Sequence, residues 1–198
     1  MIDFTQAWIA TLQCVTASTM VSHDPRALTF VPISLDSGVL SIRRAAKLRI
    51  NEGGRFILFG NGGSLATASH IATDFSLAGW PSIALTDAVA LTSHTNDFGP
   101  DANFTKQIEL LRPRSVDIFV AMSCTGKSAN ILDAVRTARA ACNGLCYVLT
   151  FSGFDGDNPL RRMGHLNFYV PAHEYGFVQL AHESILHAAC DIENGWHP

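Results

Sequence analysis

Short apolar runs alternate with helix-like segments along most of the chain. After Gly53-Gly54 the hydrophobic runs are continuous, with no alternation between apolar and polar positions. Strands buried on both faces have this pattern, which is typical of a parallel sheet covered by helices. The runs predicted as strands are 56–59, 82–85, 116–122, 145–151 and 166–170.

The segments between these runs carry apolar residues at helical spacing. The predicted helices of this part are 64–77, 103–111, 128–141 and 175–193. Two further helical segments, 4–20 and 36–51, precede the first strand, and Asp24-Pro25 separates them. We therefore predict a single α/β domain over residues 1–198, with a helical arm at 1–52 and the α/β core at 53–193.

Composition and charge limit the classes of partner. Hydrophobic residues make up 47% of the chain and charged residues 16%, so a substantial core is expected. The net charge is −3 and the 14 Lys and Arg form no tract, which argues against nucleic-acid binding. No apolar run approaches the ~18 residues of a membrane helix, and the start lacks the basic residues of a signal peptide.

The cysteines are odd in number and scattered. Cys142 and Cys146 form C-x-x-x-C, which is neither a redox motif nor a zinc motif. Buried, reduced thiols are therefore expected, and a cytoplasmic protein with them. The five cysteines are Cys14, Cys124, Cys142, Cys146 and Cys190.

Two loops have the composition of a phosphate site. The first, Gly60-Asn61-Gly62-Gly63-Ser64, lets the backbone approach an anion and leads into a helix N-terminus. The second, Ser123-Cys124-Thr125-Gly126-Lys127-Ser128, places hydroxyls on a turn before another helix. In open α/β sheets ligands bind beyond the carboxyl ends of the strands, where both loops are expected. The simpler alternative is that both are only tight connections.

Familiar nucleotide motifs fit these loops less well. The dinucleotide pattern G-x-G-x-x-G/A fails because Leu65 stands at its last position. The second loop matches the P-loop pattern G-x-x-x-x-G-K-[ST] except that Ala121 replaces the first glycine. A nucleotide-binding P-loop protein therefore stays open as a minor alternative.

Two helices carry groups suited to proton transfer or metal binding. His70 and Asp74 share one face of a helix at i and i+4, and Gln179, Glu183 and His187 share a face of the last helix. Gln179 and His187 lie only ~80° apart around that helix, close enough to converge on one site. The segment HESILH is not a zinc motif, because two histidines five residues apart point ~140° away from each other.

The remaining histidines are expected to be structural. His182 is predicted to be a packing residue. Surface or satisfied structural positions are expected for His94, His165, His173 and His197.

Four motifs in this order resemble the sugar isomerase (SIS) domain, specifically its phosphoheptose isomerase branch. They are GNGGSLATASHIATD, HTNDFG, SCTGKSANIL and VQLAHESILH, and the resemblance runs from about Gly53 to Ile192. It implies a three-layer sandwich with a five-stranded parallel sheet of the flavodoxin-like type. It also implies a homotetramer whose active sites are shared between subunits.

The resemblance further implies an enzyme. The implied reaction is aldose–ketose isomerisation of sedoheptulose 7-phosphate to D-glycero-D-manno-heptose 7-phosphate, in the synthesis of nucleotide-activated heptose. The implied ligand is a small phosphorylated sugar, with no nucleic-acid or membrane partner. The alternative within the family is a non-catalytic phosphosugar-binding or regulatory tetramer, like the relative that assists the replication initiator DnaA.

Site residues are carried over by position. Asp74 stands where the family keeps a glutamate base, and His187 stands at its histidine acid–base. A zinc ion, where present, is implied to bind His70, Asp74, Gln179 and His187. The implied substrate-binding residues are Asn61, Gly62, Gly63, Ser64, Asp97, Ser123, Cys124, Thr125, Ser128 and Gln179.

Overall fold

The computed structural model describes residues 3–24 and 30–198. Pro25 of the predicted break lies outside the described residues. The helices are α1 Phe4–Ala17, α2 Leu35–Ile50, α3 Gly63–Leu77, α4 Ala88–Phe98, α5 Asn103–Leu111, α6 Ala129–Ala141 and α7 Tyr175–Glu193. The strands are β1 Met20–His23, β2 Val31–Ile33, β3 Phe56–Gly60, β4 Ser82–Ala84, β5 Ile118–Ser123, β6 Tyr147–Ser152 and β7 Leu166–Tyr169.

The described strands form one sheet in the order β2-β1-β7-β6-β5-β3-β4. The five strands from β3 to β7 are parallel and follow the flavodoxin-like order 2-1-3-4-5. This confirms the predicted fold class. The chain reverses its direction of winding between β3 and β5, and this point of reversal is where such folds bind ligands.

The N-terminal part differs from the prediction. We predicted a helix to residue 20, but α1 ends at Ala17 and Met20 begins a strand. β1 pairs antiparallel with β7 and with β2, which widens the sheet to seven strands among the described residues. Val21 explains the change, because its side chain is buried on the sheet, where it lies close to Gly38 of α2.

Helices cover both faces of the sheet, as predicted for a three-layer sandwich. Successive residues of β3 point into opposite cores, so Phe56 and Leu58 pack beneath α2, α3 and α7. Ile57 and Phe59 pack beneath α5 and α6 on the other face. α1 lies outside these layers against α7, where the Trp8 and Phe177 rings are 4.9 Å apart.

The sequence analysis missed α4. Asp87 caps this helix by accepting a hydrogen bond from Ala90 N at 2.7 Å, yet α4 contributes no buried side chain. The segment is mostly small or polar, and only Leu91 packs against the core. A helix that buries so little has no clear hydrophobic periodicity in its sequence.

No helix of the described residues is long and apolar enough to cross a membrane.

One buried carboxylate holds the start of β5. The Asp117 side chain is fully buried and accepts hydrogen bonds from Arg114 N at 2.9 Å and Arg114 Nη2 at 3.2 Å. Its Oδ2 also lies 3.5 Å from Arg55 Nε. A buried charge of this kind is tolerated because it is paired on several sides.

We expect Asp117→Asn to lower the free energy of unfolding by about 2 kcal/mol, because an amide in place of the fully buried carboxylate cannot accept both hydrogen bonds from Arg114. Urea unfolding measures this loss. Asp133→Asn is the matched control, because its ion pair with Arg136 is exposed and is expected to cost less than about 1 kcal/mol. Equal losses in the two variants would contradict the anchoring role of Asp117.

Candidate active site

The two predicted phosphate loops lie side by side where the winding of the sheet reverses. β3 and β5 are neighbours in the sheet, with Gly60 paired to Met122 in register. The first loop, residues 60–64, therefore leaves β3 next to the point where the second loop, residues 123–128, leaves β5. The structure brings the two loops together, and each leads into a helix N-terminus.

The first loop is shaped by its glycines. Gly62 adopts a φ of 54°, in the region that favours glycine, and is the residue before α3. A side chain on Gly63 would collide with the amide of Gln179, so α7 lies directly against the loop. The N–H groups of Ser64, Leu65 and Ala66 already donate to the carbonyls of Asn61 and Gly62. The positive dipole end of α3 therefore gives this loop its attraction for an anion.

Hydroxyl groups of the two loops converge. Ser123 Oγ and Ser128 Oγ are 3.1 Å apart, and Ser64 Oγ lies 3.7 Å from Cys124 Sγ. Thr125 Oγ1 accepts a hydrogen bond from Lys127 N at 3.3 Å. The side chains of Ser64 and Ser123 are almost fully buried, so their orientation is fixed by the surrounding structure. These neutral donors around two helix N-termini are suited to holding a phosphate.

Cys124 lies buried in this cradle, its predicted contact with the substrate stays a prediction, and its thiol is poorly suited to act as a nucleophile. Burial raises the pKa of its thiol, although hydrogen bonds with Ser64 and Gln179 act in the opposite direction. A raised pKa keeps the sulfur protonated near neutral pH, and only the thiolate is reactive.

A carboxylate and two imidazoles form the second part of the site. Asp74 Oδ2 lies 3.5 Å from His70 Nε2 and 3.5 Å from His187 Nδ1. The two imidazole rings are 5.1 Å apart. The three side chains are partly exposed, at 53% for His70, 25% for Asp74 and 33% for His187, so a ligand can reach them. The candidate acid–base residues thus face one common space.

Parallel packing of α3 on α7 connects the two parts of the site. Gly63 contacts Gln179, Thr67 Oγ1 donates to Glu183 at 2.9 Å, and Asp74 meets His187. The contacts advance along both helices in the same direction, which fixes their register. Ser64 and Asp74 are ten residues apart, so the acid–base group lies roughly 15 Å along α3 from the loops.

The same three side chains could hold a metal ion. One ligand atom from each of His70, Asp74 and His187 can be chosen so that all lie within 4.8 Å of one another. Two imidazoles and one carboxylate form a donor set that zinc accepts, and three protein ligands leave a position open, as in catalytic zinc sites. The donor set therefore fits the implied ion.

Gln179 contacts the phosphate loops, at a distance along α7 from the group formed by His70, Asp74 and His187. Its amide rests against Gly63 and hydrogen-bonds Cys124, at the level of the phosphate loops. Gln179 and His187 are close in angle around α7, but they are roughly 12 Å apart along the helix axis. Its place supports contact with the substrate, and its role as a metal ligand stays a prediction.

Asp97 is exposed on α4, where its Oδ1 accepts a hydrogen bond from Asn96 at 2.9 Å. Nearby, a cavity of about 480 Å³ opens between the first loop and α4. Asn61 and Gly62 form one side of it, and Thr92, Thr95 and Asn96 contribute polar groups on another. The only hydrogen bond of the Asp97 side chain among the described residues is this one with Asn96, and its predicted contact with the sugar stays a prediction.

Sequence reasoning missed Asn130, which locks the two loops together. Asn61 Nδ2 donates to Asn130 Oδ1 at 2.9 Å, and Asn130 Nδ2 donates back to Asn61 Oδ1 at 2.9 Å. Asn130 Nδ2 also lies 3.3 Å from Asn103 Oδ1. An asparagine directly after the hydroxyl-rich loop, at the start of a predicted helix, was the sequence feature that could have indicated this role.

A third loop, which was not predicted from the sequence, supports the second phosphate loop. This bracing loop, residues 153–162, donates from Gly153 N to Cys124 O at 2.8 Å and from Leu160 N to Gly126 O at 3.2 Å. Gly126 has a φ of 63°, and a side chain there would collide with Asn158. Asn158 is fully buried, and its amide donates to the Asp155 carbonyl at 2.8 Å.

His182 behaves as the predicted packing residue. It is buried against the Phe151 ring, and its Nε2 lies 3.2 Å from Ser152 O at the end of β6. Burial lowers the pKa of His182 to about 4, so the ring is neutral near pH 7. His182 therefore supports the floor of the site and takes no part in proton transfer.

Comparisons with known proteins agree with this architecture. The sequence profile of the SIS domain matches residues 36–143. The chain is 34% identical over 161 residues to a phosphoheptose isomerase of Roseiflexus sp., covering 78% of this chain and 79% of the relative. A phosphoheptose isomerase of Helicobacter hepaticus is 35% identical over 162 residues, covering 77% of this chain and 80% of the relative.

A solved structure resembles the whole chain. The structure of phosphoheptose isomerase GmhA from Neisseria gonorrhoeae superimposes with a TM-score of 0.78 at 26% identity, and the match covers 97% of both chains. The N-terminal arm and the core of this chain are thus both included in the similarity.

The burial of His182 predicts loss of stability in acid. Because its folded pKa lies below the unfolded value, the unfolded state takes up the proton first, and stability falls as the pH drops from about 6.5 to about 4. Between about pH 7.5 and about pH 5 this one group is expected to remove about 2 kcal/mol of unfolding free energy. Urea unfolding at both pH values measures the change.

His182→Leu should flatten this pH dependence by the same amount, whereas His173→Gln, at an exposed histidine, should leave it unchanged. A wild-type protein that is equally stable at both pH values would contradict the neutral, buried state of His182.

The amide pair predicts a linked effect on stability and on anion binding. We expect Asn130→Ala to cost about 1–2 kcal/mol of unfolding free energy, because Asn61 loses both hydrogen bonds. Affinity for inorganic phosphate should fall several-fold, because the first loop is no longer held beside the second. Urea unfolding and calorimetric titration measure the two effects. Asn51→Ala, an exposed amide after α2, serves as the control, and unchanged phosphate affinity in Asn130→Ala would contradict the role of the pair.

Proposed function

The chain belongs to the SIS-domain family, and from this we propose that it is an aldose–ketose isomerase that interconverts sedoheptulose 7-phosphate and D-glycero-D-manno-heptose 7-phosphate. The observation that carries the proposal is the single space shared by Asp74 and His187, whose Oδ2 and Nδ1 atoms are 3.5 Å apart. The relatives named phosphoheptose isomerase support the choice of substrate. The proposed product feeds synthesis of nucleotide-activated heptose.

The phosphate of the substrate is proposed to bind between the two loops. The hydroxyls of Ser64, Ser123, Thr125 and Ser128 would donate hydrogen bonds, and the positive dipole ends of α3 and α6 would face the phosphate. Asn61 and Gln179 lie beside this cradle and would contact the sugar. The contact of Gln179 with both loops supports this role.

The length of the substrate agrees with the geometry of α3. An extended seven-carbon chain with its phosphate spans roughly 10 Å by ordinary bond lengths. The loops and Asp74 are separated by roughly 15 Å along the helix, and side chains lean towards the helix N-terminus, which shortens the gap. A seven-carbon sugar phosphate comes nearer to spanning this gap than a three- or four-carbon one.

The chemistry of isomerisation needs two proton-transfer groups. Asp74 is proposed to remove a proton from the carbon beside the carbonyl, which gives an enediol. His187 is proposed to carry protons between the two oxygens, since imidazole titrates near neutral pH. Aspartate is one methylene shorter than the glutamate found in the family, and the close approach of α3 to α7 supports its reaching the substrate.

Zinc is proposed to bind His70, Asp74 and His187, with Gln179 as a further candidate ligand. When bound, the ion would polarise the carbonyl and stabilise the negative charge that develops on its oxygen. His70 would then serve to bind the metal, while the proton-transfer roles stay with Asp74 and His187.

A homotetramer with active sites shared between subunits is proposed for the assembly. The partial exposure of Asp74 and His187 supports this, because a neighbouring subunit would close the site to water. The exposed apolar side chains of α1, among them Phe4 and Trp8, give such a neighbour a surface to cover. A cytoplasmic location remains an expectation from the free thiols.

The acid–base roles are tested by conservative substitutions. We expect Asp74→Asn and His187→Gln each to lower kcat about 100- to 10,000-fold, because each removes one proton-transfer group. Affinity for inorganic phosphate should remain, because the loops are roughly 15 Å away along α3. Conversion of sedoheptulose 7-phosphate, followed by nuclear magnetic resonance with and without added zinc, measures the activity. Asp191→Asn on the exposed side of α7 is the control.

The same experiment separates the enzyme from a non-catalytic phosphosugar-binding protein. Binding of sedoheptulose 7-phosphate without turnover, and no effect of Asp74→Asn, would reject the isomerase in favour of a sensor. The retained carboxylate and histidine favour the enzyme, because a sensor needs only the phosphate loops.

A further inference from the structure

Lys127 is the one charged residue in the two phosphate loops, both of which are fully described. Residues 60–64 and the rest of 123–128 are glycine, asparagine, serine, threonine and cysteine. The backbone of Lys127 lies inside the cradle, because its N–H donates to Thr125 Oγ1 and Ser128 follows it directly. A lysine here places a cation at the border of an otherwise neutral site.

The ammonium group of Lys127 is paired with the bracing loop. Its Nζ lies 2.5 Å from Asp155 Oδ2, and the two side chains are 58% and 57% exposed. The hydrogen bond from Lys127 lowers the pKa of Asp155, which keeps that carboxylate ionised. Exposed ion pairs contribute little to stability and are screened by salt, so the ammonium can change partner at little cost.

The charge of a sugar phosphate calls for such a cation. A phosphate monoester carries about −1.5 to −2 charges near pH 7. The N-termini of α3 and α6 each offer the equivalent of about +0.5 charge, and the serine and threonine hydroxyls are neutral. About half to one negative charge is therefore left without compensation by the loops alone.

We propose that Lys127 is a phosphate-binding residue, held by Asp155 before substrate binds, whose ammonium moves to the phosphate when the cradle is filled. This inference rests on the proposed function, because it takes a phosphorylated sugar as the ligand. The flexible four-carbon stem of lysine allows the move without a change in the backbone. Asp155 is then left in water, where an exposed carboxylate is well solvated.

A purely structural role for the ion pair makes a different prediction. In that case Lys127 and Asp155 would only tie the bracing loop to the second loop. That tie is already made by two backbone hydrogen bonds, Gly153 N to Cys124 O and Leu160 N to Gly126 O. The bracing loop should therefore stay in place without the ion pair, and the two roles differ in what Asp155→Asn does.

Calorimetric titration of the full chain with inorganic phosphate, and then with sedoheptulose 7-phosphate, tests the proposal at low and at physiological salt. Lys127→Met is expected to bind phosphate about tenfold more weakly and with less dependence on salt, because one charged hydrogen bond is lost. Asp155→Asn is expected to bind as tightly as the wild type or several-fold more tightly, because it frees the ammonium. Lys127→Arg should retain most of the affinity.

Arg162→Gln is the matched control, because it removes one cation from an exposed ion pair with Asp157 in the same region. Its phosphate affinity should equal that of the wild type. Circular dichroism and urea unfolding check that each variant is folded.

Three results would overturn the proposal. They are equal weakening by Lys127→Met and Asp155→Asn, wild-type affinity in Lys127→Met, and no binding of phosphate by the wild-type protein. Failure of the proposed function gives a different result, because the chain would then bind phosphate through Lys127 and fail to isomerise the sugar.

Discussion

The close contact of two parallel helices, α3 and α7, is the constraint on which the candidate site depends. Gly63 allows the approach because a side chain there would collide with Gln179. The hydrogen bond from Thr67 to Glu183 then sets the register, and further along the same two helices Asp74 meets His187. A shift of one residue would turn these groups to different sides of the helices by about 100°. The chemistry is therefore set by helix packing more than by any loop.

The two ends of the site differ in burial. The side chains of Ser64 and Ser123 are buried and fixed, which suits a phosphate held in one place. The side chains of His70, Asp74 and His187 are partly exposed. A buried binding end and an accessible reacting end on one helix would allow the phosphate to position the reactive carbons without entering the chemistry.

The sequence was sufficient for the layers of the fold and for the residues of known motifs, because continuous apolar runs such as 56–59 report burial on both faces. The prediction failed for α4, where few side chains are buried. It also failed for β1, whose Val21 pairs with Phe168 of the distant strand β7. Asn130 and Asn158 were missed for a related reason. Asn130 hydrogen-bonds Asn61, which lies far from it in the chain, and Asn158 packs against the distant Gly126, so a local pattern records neither contact.

The weak anchoring of α4 has a consequence for access to the cavity beside Asn61. This helix supplies Leu91, Thr92, Thr95 and Asn96 to the cavity wall, yet buries no side chain of its own. Segments with so little buried surface open locally at a small fraction of the global unfolding free energy. Local opening of α4 would therefore widen this cavity while the sheet stays folded.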